Sequence, residues 1–374
     1  MLRNLTWAIS NLCRGDPPPD FTLVKDAIPQ LSTLLYSSDI EVVVDATWAL
    51  SHLADGEDYQ IQAVLDAGAC KRLIDLTMNS QLVVQVPAVR AVGNIISGSD
   101  LQTQVCIANG VLPCLVSLFS SLKATVRKEA CWIISNITAG NVGQKQAVID
   151  ANLVPLLIDS MLHAEFDIKK EALIAIFNIC TEGLPQQIDY LVSKNLLEAL
   201  SELLQLTDVS VLVCALSTLE LVLRAGKQRA PGFNAYAHRF EDIGGTTPLN
   251  KLLDHPQARV YQTAMALMEH YFDHVDSVRE SVSAADAMPM AFGTATPASP
   301  TSPFFGSGFT SLGSPSTPTS TAAPTATVSP FTASLLSPQA FSFDFNLPTG
   351  QQQPQSPFAM FSQGGGGNGG SGSS

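Results

Sequence analysis

An asparagine returns at Asn11, Asn94, Asn136 and Asn178, and twice it stands four positions after a tryptophan, as Trp7/Asn11 and Trp132/Asn136. Residues four apart share one face of a helix, so each pair would present an indole and a carboxamide together. Asparagine is a poor helix-interior residue because its amide competes for backbone hydrogen bonds, and burying it unpartnered is costly. Its return at a fixed phase points to a row that faces solvent or a ligand. A carboxamide both donates and accepts, so a ladder of them can hold an extended peptide backbone without reading its sequence. Indole faces beside the ladder can take the stem and cationic head of Lys or Arg, at about 0.5–2 kcal/mol per contact. Asp45, Glu129 and Glu171 each precede the tryptophan-row position by three residues and would supply a charge preference. Such a constellation selects an unfolded, Lys/Arg-rich segment. The competing reading is that the same side chains only bridge neighbouring helices. Trp48, followed by His52, is balanced between the two, and Ile174 brings no aromatic face.

These residues recur because the sequence does. Residues 6–12, 47–53, 89–95, 131–137 and 173–179 are versions of one heptapeptide, and its polar position (Asn11, His52, Asn94, Asn136, Asn178) advances in steps of 41, 42, 42 and 42. A period kept that tightly marks stacked structural repeats. In one unit the apolar spacing predicts helices over 100–108, 111–122 and 125–139, with a turn at Asn109-Gly110 and a stop at Gly140. The same breakers return at Asp66-Ala67-Gly68, Asp150-Ala151-Asn152 and Ser193-Lys194-Asn195, and no segment alternates as a strand would. Three helices in about 42 residues is the armadillo pattern. The expected fold is therefore all-α, a right-handed armadillo-repeat superhelical solenoid whose third helices line a concave groove. A partial unit comes first, five full units end near Ala54, Ser97, Ala139, Thr181 and Ala225, and a divergent last one covers 233–272.

The 374 residues carry a formal charge of −13, and all 20 Lys and Arg precede Glu280. That balance argues against nucleic acid and for a basic partner. Seven scattered cysteines without a CxxC pair argue against a disulfide framework or zinc site and fit a reducing compartment. The six histidines form no ligand cluster, and no nucleophile, base and orienting acid are grouped, so neither metal, cofactor nor catalysis is expected. No run approaches the ~20 uninterrupted apolar residues of a membrane helix. The longest candidate, 209–223, contains Glu220 and stops at Arg224. A soluble, intracellular protein is the expectation. From about 283 the composition turns to Pro, Ser, Thr, Gly and Ala with scattered Phe, which predicts a disordered tail over 281–374 after an armadillo domain over 1–280. The tail holds six Ser-Pro pairs and the dipeptides Phe292-Gly293 and Phe305-Gly306.

Residues 2–272 resemble the armadillo domain of importin alpha (karyopherin alpha), the family of adaptors for nuclear localisation signals. The resemblance rests on Leu2-Arg3-Asn4-Leu5-Thr6-Trp7, Asp45-Ala46-Thr47-Trp48, Val89-Arg90-Ala91-Val92-Gly93-Asn94, Lys128-Glu129-Ala130-Cys131-Trp132 through Asn136, and Glu241-Asp242-Ile243-Gly244-Gly245. In register it matches the family's fourth through tenth repeats. It implies that Trp7, Asn11, Asp45 and Trp48 belong to the distal edge of a major signal site. Arg90, Asn94, Lys128, Glu129, Trp132, Asn136, Glu171 and Asn178 would form a minor one. It also implies a nuclear import adaptor of cytoplasm and nucleus, with basic nuclear localisation signals of cargo proteins as partners. An exportin with Ran-GTP would engage the last repeat, where Asp273, Asp276 and Glu280 are a thin acidic stretch. His52 stands where the family often has Tyr, Ile174 where it usually has Trp, and Leu221 where Asn is common, so one slot for a Lys stem is missing. The basic importin-beta-binding segment and the first three repeats have no counterpart in these residues, so recruitment of importin beta is not expected. Two other outcomes stay open: a scaffold joining two proteins with help from the tail, and a truncated adaptor without an independent role.

Overall fold

The computed structural model describes residues 1–15, 17–230 and 232–272, and every regular element among them is a helix. Helix α1 (Leu2–Cys13) comes first and six triads follow. The first triad is α2 (Phe21–Val24), α3 (Ile28–Leu34) and α4 (Ile40–Leu53), and the second is α5 (Asp58–Asp66), α6 (Cys70–Leu76) and α7 (Leu82–Ile96). The third is α8 (Asp100–Ala108), α9 (Val111–Leu118) and α10 (Ala124–Ala139), and the fourth is α11 (Val142–Asp150), α12 (Val154–His163) and α13 (Phe166–Cys180). The fifth is α14 (Pro185–Ser193), α15 (Leu196–Leu203) and α16 (Val209–Arg229), and the last is α17 (Ala235–Asp242), α18 (Thr246–Lys251) and α19 (Ala258–Tyr271). The expected acidic stretch at Asp273, Asp276 and Glu280 and the whole tail lie outside the described residues.

The turn between first and second helices shows how the repeat is encoded. Its left-handed position falls at Gly68, Gly110, Asn152 and Asn195, with φ of 74°, 88°, 58° and 69°. Glycine and asparagine are the residues that adopt this conformation most cheaply, so the breakers recur with the period. Two helix ends differ from expectation. The helix expected to reach Leu122 stops at Leu118, where the chain turns through Phe119 and Ser120, and Leu122 is 99% exposed. Ser121 Oγ accepts from the Lys123 N–H there, a local bond that competes with helix continuation. Helix α16 runs through Arg224 to Arg229, because Lys227 and Arg229 in its last turn suit the negative end of the helix dipole. At 21 residues it is the one described helix long and apolar enough to cross a bilayer, but most of its length is buried inside the fold.

Third helices pack in sequence, α1 on α4, then α7, α10, α13, α16 and α19. The core is the set of apolar residues that each triad turns inward or toward its neighbours, including Ile28, Leu31, Leu50, Ile74, Ile95, Leu115 and Ile134, all essentially inaccessible. Burying each contributes about 1.5–3 kcal/mol, and only adjacent units share these contacts. A second tie between units was not apparent from the heptapeptide. Gln102, Gln144 and Gln187 each accept from the backbone N–H just before their own first helix. Each also donates to a carbonyl of the preceding unit's first helix, at Asp58, Asp100 and Val142.

Candidate peptide-binding face

The row residues lie on α1 and the third helices α4, α7, α10 and α13, which pack one on the next and so place them side by side along the stack. At its start, Trp7 is 56% exposed and the exposed Asn11 carboxamide donates to the Trp7 carbonyl at 2.8 Å. On α4, Trp48 is half-buried, and the His52 ring stacks on it at a centroid distance of 5.9 Å and an interplanar angle of 21°. Burial, followed by repulsion from Glu41, pushes the Asp45 carboxyl up to about 6.

The densest grouping joins α7, α10 and α13. The Arg90 guanidinium donates to Glu129 Oε1 at 2.5 Å and lies over the Trp132 ring, 5.6 Å from its centroid. The indole packs against α7 so closely that a Cβ at Gly93 would come within 2.2 Å of its Cζ3. Lys128 reaches forward to Asp167 at 3.1 Å. Glu171 is 3% exposed, and burial raises its carboxyl to about 7 against the pull of Lys128 and Lys170. Burial also raises the Glu129 carboxyl, opposed by Arg90 and then Lys128.

The expectation of a row facing solvent or a ligand does not hold alike for every asparagine, and at two of them the structure shows the competing bridge between helices. Asn94 is 5% exposed and donates to the Ser51 carbonyl at 2.9 Å, while Asn178 donates to the Ser135 carbonyl at the same distance. Both therefore bridge neighbouring third helices, the buried Asn94 and the half-buried Asn178 alike. Asn136 differs. Its Nδ2 is buried without a partner, and so is Glu129 Oε2, so an unsatisfied donor and an unsatisfied acceptor flank Trp132 on one helix face. Asn136 lines a cleft of about 180 Å³ with Ser97, Asp100, Thr103 and Gly140. A larger cleft, about 670 Å³, lies among Leu156, Asp159, His163 and Glu165, where Arg127 is already committed to Ser121 and Glu165.

Residues 16–55, 57–97, 99–139 and 141–181 match the armadillo/beta-catenin-like repeat. Importin subunit alpha-B of Dictyostelium discoideum is 53% identical over 275 residues, covering 73% of this chain and 53% of that protein. The chain belongs to the importin alpha family. Importin subunit alpha-5 of Arabidopsis thaliana is 44% identical over 274 residues, covering 72% of this chain and 53% of its own length. This importin alpha family member thus spans about half the length of these relatives. Among solved structures, a designed armadillo repeat protein in complex with the peptide (KR)4 superposes with a TM-score of 0.60 at 32% identity, covering 65% of this chain and 99% of that one. One feature of the family member's face was missed from sequence. Gly93 is needed so that Trp132 can lie on α7, and a glycine three residues after the row position was the available signal.

Proposed function

We propose that the chain is a nuclear import adaptor whose third-helix face binds extended Lys/Arg-rich segments of the nuclear localisation signal type, centred on Glu129, Trp132 and Asn136. The observation that carries this reading is the pair of orphaned polar atoms. A buried donor or acceptor without a partner costs about 1–3 kcal/mol, so two of them on either side of one indole call for an explanation, which a bound ligand supplies. A Lys or Arg head satisfies Glu129 Oε2 and a backbone carbonyl of the same segment satisfies Asn136 Nδ2. The likeness to importin subunits and to a designed repeat protein holding a (KR)4 peptide supports the ligand class. Trp7, Asn11, Asp45 and Trp48 extend the track toward α1. Movement between cytoplasm and nucleus, with recycling by an exportin and Ran-GTP at the last repeat, belongs to the same reading.

Titration of a Lys/Arg-rich peptide of about ten residues into the full chain tests it, at two salt concentrations. Saturable binding that weakens with salt is expected, with a loss of about tenfold or more in Trp132→Ala combined with Asn136→Ala. No binding at low salt, or the same affinity in the double variant, would contradict the proposal.

A further inference from the structure

Third helices place a residue at the tryptophan row every 41 or 42 positions: Trp7, Trp48, Arg90, Trp132 and Ile174. Three residues earlier the acid row reads Asp45, Pro87, Glu129 and Glu171. The α7 unit is therefore the one in this series that supplies neither an aromatic face nor an acid and supplies a cation in their place. That cation is held where a ligand's would go, in a short charge-assisted bond to Glu129 with its guanidinium carbon over the Trp132 ring.

Resting on the peptide-binding reading above, we infer that Arg90 is a resident pseudo-ligand: it fills the cation slot of Trp132 and Glu129, and a basic segment binds there only by displacing it. Glu129 Oε2 is left unpaired behind this contact, so the slot is occupied but not completed. A neighbouring unit's side chain pays no translational entropy on entering the slot, which makes it an effective competitor. Apparent affinity then falls by the fraction of molecules in which Arg90 has swung away, whatever the sequence of the incoming segment. Arg90 sets a threshold for binding and is not itself a contact to the cargo.

The test compares the wild-type full chain, Arg90→Gln and Lys128→Gln in titrations with one Lys/Arg-rich peptide at pH 8. Lys128 stands on the same face but pairs with Asp167 and not with Glu129 or Trp132, so its removal lowers the positive charge of the face equally without emptying the cation slot. Arg90→Gln is expected to bind about three- to tenfold more tightly than wild type, and to keep that advantage at high salt, where the general charge effect is screened. Lys128→Gln is expected to gain less, and to lose the gain as salt rises. Should Arg90→Gln misfold by circular dichroism, Arg90→Lys serves, with tighter binding expected because an ammonium lacks the planar fork of donors by which the guanidinium holds Glu129. Equal or weaker binding by the Arg90 variant, or an equal gain in Lys128→Gln at high salt, overturns the pseudo-ligand while leaving the peptide face standing. Failure of every form to bind overturns both.

Discussion

Glu171 has to satisfy two opposed demands. In the folded chain it keeps its proton up to about pH 7, against an ordinary value of 4.5, because burial disfavours the carboxylate. Its contribution to stability is complete below 4.5 and is lost as pH rises through 7, a difference of roughly 3 kcal/mol. Glu171→Gln is therefore expected to raise the unfolding free energy at pH 8 by roughly 1–3 kcal/mol, read from the denaturation midpoint, and to change it little at pH 4.5. The same substitution is expected to weaken a basic peptide at pH 8, and stability and affinity moving in opposite directions mark a residue kept for binding. Asp45, Glu129 and Glu171 are all raised, so peptide affinity should climb between about pH 5.5 and 8 with release of protons, which calorimetry in buffers of different ionisation enthalpy would read. Flat affinity across that window would contradict the role of these acids. The asparagines make a matched pair. Asn178→Ala breaks a helix-to-helix bond and should cost about 1 kcal/mol or more, whereas Asn136→Ala removes an unpartnered donor, keeps stability level or raises it, and weakens the peptide. Denaturant titration of both variants distinguishes them.

At the scale of the elements, the repeat was legible because its breakers and its apolar spacing are local. Asn109-Gly110 and Asp150-Ala151-Asn152 mark turns with residues that accept left-handed backbone, and α8 lies where its apolar period places it. Helix ends were less legible at Leu118 and Arg229, where apolar or charged residues continue the pattern past or short of the true boundary. The candidate site was legible as residue types on a common phase, but not in its connections. Whether an asparagine bridges helices or faces outward depends on contacts 43 residues away, as for Asn94 and Ser51, and periodicity within one helix carries no such information. The glutamine ties are of the same kind. Gln144→Ala loses both its acceptance from Asn141 and its donation to Asp100. A loss of about 1–3 kcal/mol is expected, with faster amide exchange in α8 and α11 than in α4.

Across the whole described stack, each unit leans only on its neighbours, so stability and binding are distributed along a line. Among the third helices α1 packs on α4 alone and exposes Leu2, Leu5 and Leu12, so its amides should exchange sooner than those of α7, α10 and α13. The three tryptophans of the chain, Trp7, Trp48 and Trp132, all stand on the proposed face, which makes tryptophan fluorescence, excited selectively beyond the tyrosine absorption, a report on that face. Titration with a tryptophan-free Lys/Arg-rich peptide should give a saturable change in emission that is lost in Glu129→Gln combined with Asn136→Ala, while an Asp/Glu-rich peptide of equal length gives none. An unchanged emission with the basic peptide, or the same response to the acidic one, would contradict a face built to hold cationic segments.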